Sequence, residues 1–256
     1  MTARTQESLA EAQFGARATE YLRSAVHAQG PDLAALAALA AGQETARVLD
    51  LGCGGGHVAY AVAPQVAEVV ACDLSAEMLA VVAATARERG LANLRTAQGP
   101  AERLPFADAS FDVVLTRFSA HHWRDFDAGL REAARVLRPG GTIGVVDVVS
   151  PGPAALDTFL QAVELLRDTS HVRDRSRAEW EAALAAAGFV VGAVTPFRLR
   201  MDFPTWVARM RTPPELVAAI RAVQGAVSDA VRRHFAIEAD GSFLLDAALF
   251  TATRPG

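Results

Sequence analysis

Between positions 46 and 150 the chain alternates short apolar runs with stretches whose apolar residues recur at helical spacing. The runs at 46–51, 66–73, 111–116 and 142–149 are rich in valine and leucine, and a shorter one lies at 94–97. Runs of this length with little polar alternation predict strands buried on both faces of a parallel sheet. Ser75 as N-cap and Gly90 as stop bracket a helix over 76–89. A further helix over 127–137 ends at the turn signal Arg138-Pro139-Gly140-Gly141. Strand and helix in alternation imply an α/β, Rossmann-like, doubly wound and mostly parallel sheet.

The flanks are helical in pattern. Residues 5–28 and 33–41 read as helices before the first strand, with Phe14 and Tyr21 among the apolar marks. After Pro151 an apolar stripe runs through Leu156, Phe159, Leu160, Val163 and Leu166, and Ser176-x-x-Glu179 forms a capping box. A sixth strand is predicted at 189–200 and a seventh, antiparallel, at 242–253. One amphipathic helix is expected between them, with Leu216, Ile220, Val223, Val227 and Val231 on one side. The expectation is one domain over 1–256: a helical cap at 5–45, a core at 46–150, then substrate-side helices and closing strands at 151–256. The helices at 5–28 and 202–235 would form a lid.

Composition narrows the partners. The 256 residues are 51% hydrophobic, enough for one substantial core. A formal charge of −4, with 25 basic residues scattered along the chain, gives no electrostatic reason to expect nucleic acid. No apolar run approaches a membrane span, and residues 1–18 lack a signal-peptide core. The two cysteines, Cys53 and Cys72, have no metal-ligand spacing, so no metal is expected and a reducing cytoplasm fits.

The candidate chemistry starts at Asp50-Leu51-Gly52-Cys53-Gly54-Gly55-Gly56-His57, a glycine turn between a strand and a helix. Glycine lets the main chain approach a ligand closely, and the amides opening the next helix face its negative end. A dinucleotide fingerprint from Gly52 would need glycine at position 57, where His57 stands, which weakens a nicotinamide oxidoreductase reading. Asp73, at the end of the second strand, sits where a carboxylate can accept hydrogen bonds from two ribose hydroxyls. After the fourth strand comes Thr116-Arg117-Phe118-Ser119-Ala120-His121-His122-Trp123, on the edge of the sheet where ligands bind. Arg117 reads either as a steering cation or as an exposed salt bridge. His121 or His122 is a candidate base for a hydroxyl nucleophile. His171 reads as part of a solvated loop.

Asp50-x-Gly52-x-Gly54-x-Gly56 resembles the first motif of the class I S-adenosylmethionine-dependent methyltransferases. Gly99-Pro100-Ala101-Glu102-Arg103-Leu104-Pro105-Phe106 is similar to that superfamily's G-D-A-E-x-L-P-F loop, with Pro100 in place of the acid, and 111–114 and 130–141 also match. The opening Phe14-Gly15-Ala16-Arg17-Ala18-x-x-Tyr21 is similar to the small-molecule subgroup of ubiquinone/menaquinone C-methyltransferases, so the resemblance covers about 14–149. It implies S-adenosylmethionine as cofactor, held by Asp50, Gly52, Cys53, Gly54 and Gly56 at the methionine part. It also implies Asp73 and Leu74 at the ribose, Ala101 and Glu102 at the adenine, Thr116 and Arg117 near the amino group, and Tyr21 closing over the site. The implied reaction is methyl transfer to an O, N or C atom of a small-molecule substrate. A non-catalytic cofactor-binding module is the alternative; an aminopropyltransferase would need acids that the His121 segment lacks.

Overall fold

The computed structural model describes residues 30–256, together with Thr5 and Leu9. The predicted helices at 5–28, with Phe14 and Tyr21, lie outside the described residues apart from Thr5 and Leu9. A short helix α1 (Pro31–Ala37) begins at Pro31, whose missing N–H costs nothing at a helix start.

The sheet follows the predicted alternation. In chain order it comprises β1 (Arg47–Leu51), β2 (Glu68–Asp73), β3 (Leu94–Gln98), β4 (Phe111–Arg117) and β5 (Leu137–Ser150). Helices α2 (His57–Val62), α3 (Ala76–Glu88) and α4 (Phe126–Val136) connect them. Then come α5 (Ala154–Arg167), β6 (Arg175–Ser176), α6 (Arg177–Ala186) and β7 (Val190–Met201). Three helices, α7 (Phe203–Arg209), α8 (Pro214–Ala226) and α9 (Asp229–His234), precede β8 (Phe243–Thr253). The strand order is β3-β2-β1-β4-β5-β8-β7, and β1 to β5 are mutually parallel. β8 runs antiparallel to both its neighbours, as the closing strand was expected to. Val48, Leu49, Val113, Val114 and Leu115 are wholly buried, which is why these strands read as unbroken apolar runs.

Three local expectations need correction. β6, two residues paired beside β5, is an eighth strand too short to leave a sequence signal. β5 starts at Leu137, so Arg138-Pro139-Gly140-Gly141 is not a turn before the strand but an irregularity inside it, where the register against β4 shifts between Phe111 and Val113. The single helix expected before the last strand is three. The Leu216–Val231 stripe breaks at Ser228, whose hydroxyl accepts from the Val231 N–H and starts a new helix.

Two apolar layers cover the sheet faces, one built on α1, α2 and α3, the other on α4 and α6 with Trp180 stacked on Phe250 at 5.3 Å. A third core lies where β5 and β7 end and β8 begins: Val148, Met201, Phe243 and Leu245 pack against Phe159 of α5, Trp206 of α7, Ile220 of α8 and Val231 of α9. The carboxyl ends of the parallel strands are therefore roofed on the β5 side. Among the described residues no helix is long and apolar enough to cross a membrane.

Candidate cofactor and acceptor site

The turn after β1 is pinned from below. The Gly52 and Cys53 N–H groups both donate to the Cys72 carbonyl of β2, at 2.8 and 2.9 Å, and Gly56 N–H donates to the Cys53 carbonyl at 2.8 Å. Gly52, Gly54 and Gly56 have φ of 67°, 48° and 80°. Their reasons for being glycine differ. A Cβ on Gly52 would overlap the Ser119 side chain, whose hydroxyl also accepts from Trp123 Nε1 at 3.1 Å. A Cβ on Gly54 would meet nothing within 4 Å and would project into open space.

Asp73 closes the same turn from the side. Its Oδ2 accepts from Gly54 N–H at 2.8 Å and its Oδ1 from Ser75 N–H at 2.9 Å. Asp50 is 1% exposed and accepts from Ala59 N–H of α2 at 2.9 Å. Burial raises its carboxyl to about 7, against the Ala59 hydrogen bond and with help from the nearby charge of Asp73.

A cavity of about 210 Å³ opens over this turn and runs past the segment after β4 to α5 and α7. Asp50, Gly52, Cys53, Gly54, Asp73 and Leu74 line one part of it, and Pro100, Ala101 and Glu102 edge it. Glu102 is partly committed, accepting from Asp125 N–H at 3.2 Å. Arg117, His121 and His122 line the cavity as well. Gly56 and Thr116 do not: Gly56 packs under Tyr60, and Thr116 is buried within β4. Tyr21 is outside the described residues.

Two sequence-based readings are overturned. Arg117 is neither a steering cation nor an exposed salt bridge. Its Nε donates to Asp32 at 2.7 Å, with both side chains 4% exposed or less, and so fastens α1 to the end of β4. His171 is not solvated. It is 7% exposed, with Nε2 3.0 Å from Gln161 Oε1.

His121 and His122 sit on a single tight turn, Ala120–His122. His121 Nδ1 lies 2.5 Å from Asp147 Oδ1. Burial works against the charged ring, yet the Asp147 charge and hydrogen bond, with Asp174 and Glu164, raise it to about 9. Burial and then the neighbouring His121 push His122 down to about 4. His122 Nδ1 is 3.1 Å from the Ser170 carbonyl, which can only accept, so Nδ1 carries the proton. The sequence reading missed Glu164, Asp168, Asp174 and Trp206, which also face the cavity, and Asp147, buried behind His121. Only Asp147 left a signal, as the lone acid inside an apolar strand.

A glycine turn open to a cavity and a carboxylate at the end of the next strand define an α/β nucleotide-cofactor-binding fold. The Gly54 backbone, with space where a Cβ would stand, and the Asp73 carboxylate fit an adenosyl cofactor.

The relatives agree. Residues 49–145 match the family model described as a methyltransferase domain. The chain is 49% identical to YafE of Escherichia coli over 199 residues, 78% of this chain and 96% of that protein. It is 37% identical to the methyltransferase YcgJ of Bacillus subtilis over 227 residues, 89% of this chain and 90% of that one. The crystal structure of YcgJ superposes with a TM-score of 0.84 at 35% identity, covering 88% of this chain and 98% of the other. The ubiquinone/menaquinone biosynthesis C-methyltransferase UbiE of Idiomarina loihiensis is 36% identical over 115 residues, 43% of this chain and 46% of its own. The chain belongs to the class I S-adenosylmethionine-dependent methyltransferases.

The two glycines separate stability from access. Gly52→Ala is expected to destabilise the protein by about 1–3 kcal/mol in denaturant unfolding, from positive φ and the overlap with Ser119. Gly54→Ala carries the φ cost alone and should lose about 1–2 kcal/mol. A Gly52 variant as stable as the wild type would contradict this packing.

Proposed function

We propose that the chain, acting as one domain over 1–256, transfers a methyl group to an O, N or C atom of a small molecule by in-line displacement. The observation that supports this reading is that one cavity is lined by both the glycine turn and the His121–His122 turn. When bound, S-adenosylmethionine supplies a methyl already activated on a sulfonium.

Each residue then has a part. Asp73 accepts from the ribose hydroxyls, with Leu74 beside it, and the backbone of Gly52, Cys53 and Gly54 follows the methionine part. Ala101 and Glu102 edge the adenine, where Pro100 brings no N–H. Asp50 holds the amino group. Gly56 and Thr116 support the turn from beneath, and Arg117 anchors α1. His122, with its proton on Nδ1, offers Nε2 to the nucleophile's proton, and Asp147 orients His121 next to it. The acceptor end is walled by Val148, Leu199, Met201, Trp206 and Leu245. Apolar walls beside the charged Glu164, Arg167 and Asp168 suit a small organic acceptor that carries a polar group. The biosynthetic acceptors in the name of the relative UbiE are of that class.

Two outcomes test the reading. With S-adenosylmethionine labelled on the methyl group, label should pass from the cofactor to the low-mass fraction of a cell extract. Label only in protein or nucleic acid would overturn the small-molecule assignment, and no transfer at all would favour a binding module. Asp50 sets a pH dependence: it must be ionised to hold an ammonium, and burial raises it to about 7 in the free protein. Binding therefore releases a proton, and calorimetric affinity for the cofactor should rise from pH 5.5 to 7.5. In Asp50→Asn the curve should be flat.

A further inference from the structure

Beside the acceptor end, three side chains from separate segments meet: His121 after β4, Asp147 within β5 and Asp174 in the loop between α5 and β6. Each offers one ligand atom, and the three atoms lie within 4.8 Å of one another. Asp147 and Asp174 are each 1% exposed.

The hydrogen bonding there is incomplete. Asp147 is satisfied: its Oδ1 accepts from Val148 N–H at 2.8 Å and faces His121 Nδ1, and its Oδ2 accepts from His121 N–H at 3.3 Å. Asp174 Oδ2 has no hydrogen-bond partner. His171 Nε2 lies 3.8 Å away, beyond hydrogen-bond distance, and gives its proton to Gln161 Oε1 at 3.0 Å. Gln161 is held in that orientation because its amide donates to the Asp174 carbonyl at 2.7 Å and its oxygen accepts from Asp174 N–H at 3.1 Å. His171 Nδ1 then carries a lone pair, and it too is buried without a partner. Buried acceptors are normally satisfied. This corner holds acceptors in excess of donors, and Glu164, 6% exposed, adds a further carboxylate close by. A bound cation would complement them.

We propose that His121, Asp147 and Asp174 bind a divalent first-row transition ion at the acceptor end of the cavity. One imidazole and two carboxylates favour Mn²⁺, Fe²⁺ or Zn²⁺ over Ca²⁺, which takes oxygen alone, and over thiophilic Cu⁺. Three protein ligands leave positions open for an acceptor oxygen, which the ion would orient and polarise. That use of the ion rests on the methyl-transfer reading; the ion site itself does not. The expectation of no metal came from local Cys and His spacing, which does not register ligands drawn from three segments.

The full-length chain, stripped with a chelator, is titrated with Zn²⁺ against a chromophoric indicator and with Mn²⁺ by electron paramagnetic resonance. One equivalent should bind, and the affinity should fall at least about a hundredfold in Asp174→Asn and in His121→Gln. Cofactor calorimetry on the same variants reports whether they are folded. Failure of both ions to bind stoichiometrically, or binding unchanged in both variants, overturns the site. Should both variants unfold, X-ray absorption of the wild-type Zn²⁺ complex decides. A nitrogen and oxygen shell with imidazole scattering supports the site, and a sulfur shell from Cys53 or Cys72 rejects it. Ion binding without any binding of S-adenosylmethionine would sink the methyl-transfer reading and leave the ion site standing.

Discussion

Two backbone N–H groups, those of Gly54 and Ser75, converge on the carboxylate of Asp73 at 2.8 and 2.9 Å. That side chain ties the turn after β1 to the start of α3, across the ends of two neighbouring parallel strands. Gly54 makes this contact with a positive φ of 48°, a conformation that glycine adopts without strain. A carboxylate has roughly four lone-pair sites, so two backbone donors leave room for two hydroxyls. The same turn fixes the next wall of the cavity, since Ser119 fills the space that a side chain on Gly52 would occupy. The tight turn bearing His121 and His122 follows directly.

The reversed last strand has a consequence for chemistry. Because β8 is antiparallel to β5 and β7, its start lies beside the ends of both. Phe243 and Leu245 there join Val148 and Met201 as the floor on which α5, α7, α8 and α9 rest. Of these helices, α5 and α7 line the far end of a cavity that the parallel strands alone would leave open. The helix α1 is held from the other direction by the buried Arg117–Asp32 pair. Removing either partner would strand a charge in an apolar setting, which is far costlier than losing an exposed ion pair.

The glycine-turn end of the cavity was legible in the sequence because its determinants are local. Asp50 to Gly56 is one continuous stretch, and Asp73 follows at the end of the very next strand. Strand positions were legible for a related reason: burial on both faces writes itself as unbroken valine and leucine. At the other end the sequence showed His121 and His122 but not the acids around them. Asp147, Asp174 and His121 converge only through the sheet and the loop after α5, and nothing in their spacing announces that. Arg117 was misread because its partner, Asp32, lies 85 residues away. The break at Ser228 was hidden because a continuous apolar stripe does not reveal where the backbone changes direction.

The most direct measurement is a crystal structure of the protein with S-adenosylhomocysteine. The account predicts adenosyl density over Gly54, with both ribose hydroxyls about 2.5–3.0 Å from the Asp73 carboxylate and the sulfur directed towards the His121–His122 turn. At saturating ligand, an empty cleft, or a nucleoside bound elsewhere with Asp73 still engaged only by Gly54 and Ser75, would contradict it.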